Sequence, residues 1–391
     1  MEKHKDIKII YTNPLSEIEQ TEKYWNSLLS NHKHHYFLSW GWIHSWLESL
    51  QGKFDIRFVV CLKDDQPVVG FFIGLSSIKK YEIFSLRSIS LNTTGNHYFD
   101  QLFLEYNEVL ADDLFFSDIK DFLEVLSDIK WDVIYLPGVS SAFAEKIGLL
   151  KLETNSYYNV LLEEQSTSYL VNLERVRDAR MDYLKLLSSN RRSQIRRSIK
   201  EYEKEGDITI VEAENLTEAL RFFDELVFLH QKEWESRGKA GAFSNQYLLQ
   251  FHKSLIQERF LYGEIQLLKC STNKDTIGVL YNFVYQDRVY FYQSGFNYPI
   301  GNLYRPGLVS HYYAILLNAQ KGKDMYDFMT GGDTYKSSLS TDTQTLYWFK
   351  IFRHPFYYKI ATFIQKIIFW VRATPLIYTW LNKAKALIKG F

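Results

Sequence analysis

Three side chains in the last fifth of the chain have the types and spacing needed for proton transfer. Asp333, Tyr335 and Lys336 directly follow Gly331–Gly332. The carboxylate could act as a general base or hold an attacking amine, the phenol could protonate a leaving thiolate, and the ammonium could bind phosphate or support an oxyanion. Proton transfer by a positioned side chain typically raises the rate of a reaction by about 10²–10⁴-fold. The pattern predicts a catalytic group on a loop after a strand; the alternative is a polar turn.

An anion-binding loop is predicted just upstream of this group. Val289–Phe296 is a strand-like run, Asn297–Gly307 (NYPIGNLYRPG) is a loop that carries glycines, and an apolar helix pattern follows. The first N–H groups of a helix lack partners within it and carry partial positive charge, so a pyrophosphate can bind there. Gly301, Arg305 and Gly307 are therefore predicted to bind the phosphates of a group donor.

A basic cluster occupies the helix predicted over Asn190–Glu205. Its first three turns hold five cationic side chains: Arg191, Arg192, Arg196, Arg197 and Lys200. Cations near a helix N-terminus oppose the macrodipole, so their placement favours a bound anion, such as a phosphorylated substrate, a donor or a lipid head group. We assign Arg192 and Arg196 to substrate binding. The alternative is a solvated face whose cations pair with nearby glutamates.

A second candidate substrate wall lies on a helix that ends in HQKEWESRG. The spacing places His230 and Trp234 on one face and Arg237 one turn further on. Together they could line a substrate cleft. The alternative gives each an ordinary structural role: a satisfied histidine, a core tryptophan and an arginine that complements the helix C-terminus.

The elements that must position these residues occur twice in the same order: helix, hairpin, helix, strand. In the first half the hairpin falls at 56–75, a helix is predicted at Ala111–Ile129, and the strand Trp131–Leu136 is expected to stop at Pro137–Gly138. Strands that alternate with helices predict an α/β protein with a mixed sheet in each half. Two unrelated α/β domains are the alternative.

The second half repeats the pattern with a hairpin at 264–285, a helix at Gly307–Ala319 and a strand at Met325–Thr330. We predict three regions: an N-terminal domain at 1–165, a C-terminal domain at 166–352 and a tail at 353–391.

The composition excludes several functions. Lysine plus arginine and aspartate plus glutamate both number 46, so no global field attracts nucleic acid, and no DNA partner is expected. Cys61 and Cys270 lie in strand-like runs and are expected to be buried thiols in a reduced compartment, not a disulfide or a metal pair. No metal site is predicted. The N-terminal segment lacks the apolar core of a signal peptide, so a cytoplasmic location is expected.

Taken together, these motifs resemble the GNAT-type acyltransferases of the FemAB-like group, in the branch described as cellulose-biosynthesis-type acetyltransferases. The similarity runs from about residue 165 to 350 and keeps the family's order: strand, short helix and basic helix; a helix ending in W-x-x-R-G; Ser294–Gly295–Phe296 followed by Pro306–Gly307; and a terminal D-x-x-x-G-[DE]-x-Y-K signature. In this chain the signature is formed by Asp327, Gly332, Asp333, Tyr335 and Lys336.

The resemblance implies tandem GNAT-like domains that face a shared cleft. It also implies transfer from acetyl-CoA or another acyl-CoA, a co-substrate that is not permanently bound, to an amine or hydroxyl. Ser294 and Gly295 would bind this donor together with the loop Gly301–Gly307. Classical members carry [QR]-x-x-G-x-[GA] where this chain reads GNLYRPG. Fem-type relatives use aminoacyl-tRNA, and that donor is the alternative.

The tail Phe356–Phe391 mixes aromatic and aliphatic residues with six spaced cations, and it has no uncharged apolar run of membrane-spanning length. Pro375 divides it into two amphipathic pieces. We expect a peripheral contact with the inner face of a membrane, with lysines at anionic lipid. A helical pair packed on the protein is the alternative.

The function predicted from the sequence is that of an N- or O-acetyltransferase. Its acceptor is expected to be a small molecule or an envelope or polysaccharide precursor, an expectation that depends on family analogy. The alternatives are Fem-type aminoacyl transfer and a non-catalytic scaffold of a polysaccharide-synthesis complex.

Overall fold

The computed structural model describes residues 6–30, 34–80, 84–112, 115–116, 118–154 and 159–373. Within these ranges only the backbone is described at 79–80, 84, 152–154, 333, 368–369 and 371–373. The strands are β1 (Ile7–Thr12), β2 (Asp55–Lys63), β3 (Gln66–Lys80), β4 (Phe84–Leu91), β5 (Leu110–Ala111), β6 (Val133–Ser140), β7 (Asn159–Asn172), β8 (Thr209–Glu212), β9 (Ile265–Ser271), β10 (Thr276–Tyr285), β11 (Arg288–Phe296), β12 (Met325–Asp327) and β13 (Asp342–Phe352).

The helices lie on both faces of the sheet that these strands form. They are α1 (Ile18–Ser30), α2 (Trp40–Leu50), α3 (Ile119–Val125), α4 (Ser141–Lys146), α5 (Leu173–Asp178), α6 (Ser189–Tyr202), α7 (Leu216–Ser236), α8 (Gln246–Arg259), α9 (Pro306–Gln320), α10 (Asp333–Leu339) and α11 (Pro355–Ala373).

The described strands form one continuous mixed sheet in the order β1-β2-β3-β4-β6-β13-β7-β12-β11-β10-β9-β8, with β5 paired to β3. Each half contributes an antiparallel meander and one parallel pair, β4 with β6 and β11 with β12. The last strands are exchanged: β13 pairs with β6 of the first half, and β7 pairs with β12 of the second. The fold is therefore mixed α/β, as predicted, built from two halves that share their central strands.

Alternation along the strands assigns their side chains to separate cores. On β2, Phe58 and Val60 enter a core that spans both halves, whereas Val59 and Cys61 face a core of the first half alone. A third core lies in the second half, where α5, α6 and α9 pack against the face of the sheet opposite the core that spans both halves. Cys61 and Cys270 are buried free thiols, as expected. The boundary predicted between residues 165 and 166 lies inside β7, and the predicted domain limits stay predictions.

Two predictions for the first half were wrong. The helix expected over Ala111–Ile129 is reduced to α3, because Asp118 caps it by accepting the N–H groups of Lys120 and Asp121. The strand expected to stop at Pro137–Gly138 instead continues as β6 to Ser140. The partner strand β13 shifts register between Tyr347 and Phe349, opposite this dipeptide, so the missing N–H of proline falls at an irregularity where a ladder bond is not required.

In the second half the strand Met325–Thr330 is shorter than expected, because β12 ends at Asp327. The predicted loop after it is a helix: α10 begins at Asp333, directly after Gly331 and Gly332, which both have positive φ. The helix predicted at Gly307–Ala319 is α9, which is one residue longer at each end.

The tail begins with α11, which packs Tyr357, Tyr358 and Ala361 against Leu86, Val133, Leu161 and Phe352. The second amphipathic piece and Pro375 lie outside the described residues. Among the described helices, none combines the length and apolarity that a bilayer crossing requires.

Candidate functional site

The parallel strands β11 and β12 pair over only three positions and then part. Arg288–Tyr290 pair with Met325–Asp327. Beyond them, as far as Phe296, the edge of β11 that faced β12 is free of a strand partner among the described residues, while its other edge stays paired with β10. A cavity of about 670 Å³, here called the β11 cavity, opens beside this free stretch. Its described lining residues are Phe103, Arg191, His230, Glu233, Trp234, Arg237, Ala240, Ala242, Gln293, Ser294, Phe296, Tyr298, Tyr304, Arg305, Pro306, Gly307, Leu308 and Tyr335.

The N-terminus of α9 faces this cavity. Arg305 is the N-cap residue, its side chain does not cap the helix, and Pro306 takes the first helical position. The N–H of Arg305 donates to Ser198 Oγ at 3.0 Å, which fixes α9 against α6. Gly307 and Leu308 come next and line the cavity. Because N–H groups in the first turn have no partner within the helix, this end of α9 can bind an anion.

The cavity lining is also positively charged. Arg191, Arg237 and Arg305 line it, and Glu233, which pairs with Arg237, is the one acidic side chain among the described lining residues. Burial, and secondarily the nearby charge of Arg305, lowers the pKa of Arg191. Two arginines held close enough to repel one another would be stabilised by an anion between them.

His230 has a structural role in the cavity wall. Its Nδ1 donates to the carbonyl of Ser294 at 3.1 Å, and the N–H of Ala242 donates to its Nε2 at 3.2 Å. Burial lowers the pKa of His230, with the Ser294 bond opposing the shift. Because both ring nitrogens are used by backbone groups, the ring is neutral and presents carbon atoms to the cavity beside Trp234.

The three glycines predicted to bind the donor have different structural roles. A Cβ at Gly295 would collide with the backbone of Leu226, so this residue allows α7 to cross β11 closely. Gly301 has a φ of +138° and packs beside the ring of Tyr304, so it shapes the loop and does not line the cavity. Gly307 does line it, and a Cβ there would lie 3.2 Å from the Phe296 ring.

The structure describes the side chains of two of the three predicted catalytic residues. Tyr335 lines the cavity and stacks on His311 with 5.9 Å between ring centroids, and burial raises the pKa of its phenol. Lys336 is buried, and its Nζ donates to the carbonyl of Thr330 at 2.5 Å, so it closes the turn before α10. The side chain of Asp333 lies outside the described part of the chain.

Asp327, the first residue of the signature motif, is a buried junction between the halves. It accepts hydrogen bonds from Tyr106 Oη at 2.6 Å, Ser168 Oγ at 2.8 Å and the N–H of Met329 at 2.7 Å. The Nε of Arg288 lies 3.6 Å from its carboxylate. The first half therefore supports the turn that leads to α10.

A buried carboxyl group that sequence reasoning missed lies beside this turn. Glu105 accepts a hydrogen bond from the N–H of Thr330 at 3.1 Å and another from the Thr330 hydroxyl. Burial, and then the charge of Asp327, raises the pKa of Glu105 to about 7, although Thr330 and Lys336 oppose the shift. Glu105 borders a small cavity of about 140 Å³ that shares Phe103 with the β11 cavity. Its only sequence signal is a carboxylate in the apolar run LFLEY.

A third space, a groove of about 680 Å³, lies between α11 and the sheet of the first half. Its lining combines apolar residues such as Leu86 and Leu161 with polar ones such as Ser88, Glu163 and Lys350. Phe103, 60% exposed, lines this groove and both cavities. The three spaces therefore meet at one side chain of the first half.

The structure brings most of the predicted binding residues together. The predicted residues that line the β11 cavity are His230, Trp234, Arg237, Ser294, Arg305, Gly307 and Tyr335. Arg192 and Arg196 do not line it; their neighbour Arg191 does. The sequence also gave no indication of Glu233 and Tyr298. Among the described residues, no three His, Cys, Asp or Glu side chains are placed to hold a metal ion.

Comparison with known proteins identifies the class of this site. Residues 189–337 match the acetyltransferase (GNAT) domain family, a span that holds every residue of the cavity lining except Phe103. The fold is similar to that of FemX (TM-score 0.56, 11% identity, 90% of this chain and 99% of FemX covered). L-PGS from Bacillus licheniformis gives a TM-score of 0.49 at 10% identity, with 88% and 96% covered. No curated protein matches the sequence.

Residues 189–337 thus resemble a GNAT acetyltransferase domain, and the chain as a whole has a mixed α/β fold similar to that of FemX. The sequence motifs named a narrower group, the cellulose-biosynthesis-type acetyltransferases. The comparisons support the broader statement, a GNAT domain and a fold similar to that of FemX.

Proposed function

We propose that this protein transfers an acyl group from an acyl-CoA, acetyl-CoA in the simplest case, to an amine or hydroxyl. The observation that carries the proposal is the parting of β11 and β12. The free stretch of β11, the N-terminus of α9 and two arginines all face the same 670 Å³ space. A donor that joins a diphosphate to an extended amide-containing arm fits this combination of an anion site and a strand edge.

In this proposal the diphosphate binds the N–H groups of Gly307 and Leu308, with Arg191 and Arg305 on either side. The extended arm lies along the free edge of β11, beside the Ser294 carbonyl that accepts from His230. Charge-assisted hydrogen bonds to an anion are about twice as strong as neutral ones. Binding therefore depends on these two arginines more than on the apolar wall.

We place the reaction between Tyr335, which lines the β11 cavity, and Glu105, which lines the small cavity that adjoins it. The acceptor N–H or O–H attacks the thioester carbonyl, the C–S bond breaks, and Glu105 takes the acceptor's proton. An amine with a pKa near 10 must first lose a proton, and a carboxylate with a pKa of about 7 is a better base for this step than an ordinary glutamate. Tyr335, kept protonated by its raised pKa, donates a hydrogen bond to the leaving thiolate.

The acceptor approaches past Phe103, where the β11 cavity meets the Glu105 cavity and the groove below α11. By analogy with the group that the sequence resembles, we propose a small molecule or an envelope or polysaccharide precursor as acceptor.

Calorimetric titration with acetyl-CoA tests the donor site. We expect saturable binding to the wild type and a loss of about 100-fold or more in affinity for Arg191→Ala/Arg305→Ala, since each charged hydrogen bond contributes about 1.5–3 kcal/mol. The matched control is Arg192→Ala/Arg196→Ala, which removes two arginines of α6 that do not line the cavity and should change affinity less than about threefold. Equal losses in both variants, or none in either, would contradict the assigned site.

The second candidate is aminoacyl transfer, favoured by the loop GNLYRPG and by the three arginines in the lining. Competition separates the two donors: if uncharged tRNA displaces acetyl-CoA and the arginine pair is needed for tRNA binding, the donor is an aminoacyl-tRNA. A protein that binds neither is the scaffold considered from the sequence.

A further inference from the structure

The two faces of α11 have opposite surroundings. Tyr357, Tyr358 and Ala361 pack on the sheet, and Gln365 Nε2 donates to the carbonyl of Leu162 at 2.8 Å. The other face exposes large apolar side chains: Phe356 (58% exposed), Phe363 (65%), Ile367 (45%) and Trp370 (59%). The packed face already anchors the helix to the protein, so the exposed face is not needed for folding.

The exposed residues form a continuous stripe. They are spaced by seven, four and three positions, which at 100° per residue places all four within an arc of roughly 60°. We call Phe356, Phe363, Ile367 and Trp370 the α11 stripe. Isolated exposed apolar residues are common on protein surfaces, but an aligned row of four large ones marks an interaction surface.

The charges beside the stripe are all of one sign. Lys359 and Lys366 lie on one flank of it at helical spacing. The chain has as many acidic as basic residues, yet none of its 46 acidic residues lies in 353–391, a segment that contains seven lysines and arginines. A surface for another copy of this neutral chain would not require such a bias. An apolar stripe flanked only by lysines complements a layer with an apolar interior and anionic head groups.

We infer that α11 lies in the plane of an anionic lipid surface, with the α11 stripe in the interface and Lys359 and Lys366 at the head groups. The inference extends the sequence-based expectation for the tail by assigning the contact to one face of one helix. It does not depend on the proposed acyl transfer.

Vesicle co-sedimentation of the full chain tests this inference. The probes are vesicles of phosphatidylcholine alone and of phosphatidylcholine with a quarter phosphatidylglycerol. We expect the wild type to bind the anionic vesicles and Phe363→Ser/Ile367→Ser to lower the affinity at least tenfold. Lys359→Gln/Lys366→Gln should lower the affinity roughly 30-fold at low salt, because each lysine near an anionic surface contributes about 1 kcal/mol.

The matched control is Phe228→Ser/Leu261→Ser, which removes a phenylalanine and an aliphatic residue that are 65% and 82% exposed elsewhere. This control should bind vesicles like the wild type. Deletion of 356–391 is a poorer test, because it also uncovers the core under Tyr357 and Tyr358.

Three results would overturn the inference. The first is a wild type that ignores anionic vesicles, and the second is a control variant that loses binding as much as the stripe variant. The third is a wild-type dimer in light scattering that Phe363→Ser/Ile367→Ser converts to a monomer, which would assign the stripe to a second copy of the chain. Acetyl-CoA binding should be unchanged in all these variants.

Discussion

Each half of the sheet contains one short parallel strand pair, and the space beyond that pair differs between the two halves. In the first half Ser88–Ser90 pair with Val133–Tyr135, and in the second Arg288–Tyr290 pair with Met325–Asp327. Past these positions the strands part in both halves. The first gap is filled by protein, whereas the second faces the β11 cavity.

Asn107 closes the first gap. It is fully buried, its N–H donates to the carbonyl of Gly138 at 3.0 Å, and its Nδ2 donates to the carbonyls of Leu91 and Pro137, each at 2.9 Å. Its Oδ1 accepts from Asn92 at 2.7 Å. One side chain thus binds carbonyls of both β4 and β6 across the gap between them.

In the second half the chain leaves the sheet differently. It passes from β11 through a loop directly into α9, so a helix N-terminus and arginines occupy the position that Asn107 takes in the first half. The comparison suggests a division of roles: the second half binds the donor, and the first half contributes Glu105 and Phe103 from the loop that fills its own gap. A repeated fold can keep two parallel pairs while only one remains open to a ligand.

The largest effect that would sharpen this comparison comes from Glu105. Glu105→Gln keeps the side-chain size and an acceptor for Thr330 but removes the base, so turnover should fall by about 10²–10⁴ with acetyl-CoA affinity unchanged. Because a base acts only when deprotonated, wild-type turnover should rise with pH through about 7 and reach a plateau above it. Assays of turnover across pH 5.5–8.5, a range centred on about that pKa, measure both the loss in Glu105→Gln and the pH profile of the wild type.

The control for this change is Glu108→Gln. Glu108 is half-buried and partial burial likewise raises its pKa, but its carboxylate accepts from Ser140 at the far side of the same loop. Turnover should therefore change much less, and its pH profile should keep the wild-type shape. A flat pH profile for the wild type, or equal losses in both variants, would remove Glu105 from the proposed reaction.

A smaller effect is expected where the first gap is closed. Asn107→Ala leaves the carbonyls of Leu91 and Pro137 and the amide of Asn92 without their partner, at about 1–3 kcal/mol for each buried group. The free energy of unfolding, measured in urea, should fall by about 3 kcal/mol or more. Asn273→Ala, an exposed control, should change it by less than about 0.5 kcal/mol. A neutral Asn107→Ala would mean that this residue does not hold the gap closed.

The sequence predicted most of the elements, because hydrophobic periodicity and caps are local signals. It predicted α9 to within one residue at each end and singled out residues of α7 and α9 that line the β11 cavity. It could not predict that β7 and β13 are exchanged between the halves, because strand pairing depends on contacts far apart in the chain.

The surroundings of the predicted site residues also depend on contacts that the local sequence does not record. Lys336 was assigned to catalysis from its type, but its ammonium is used by the carbonyls of the turn before α10. Arg191 and Arg192 are adjacent and alike in sequence, and only their rotation around α6 decides which one lines the cavity. The role of Glu105 depends on burial between the halves, which no local pattern records.

A crystal structure with CoA bound tests the central claim most directly. The account predicts that the diphosphate contacts the N–H groups of Gly307 and Leu308 between Arg191 and Arg305, with the pantetheine arm along Ser294. A CoA molecule bound beside Asn107 between β4 and β6, or anywhere outside the β11 cavity, would contradict it.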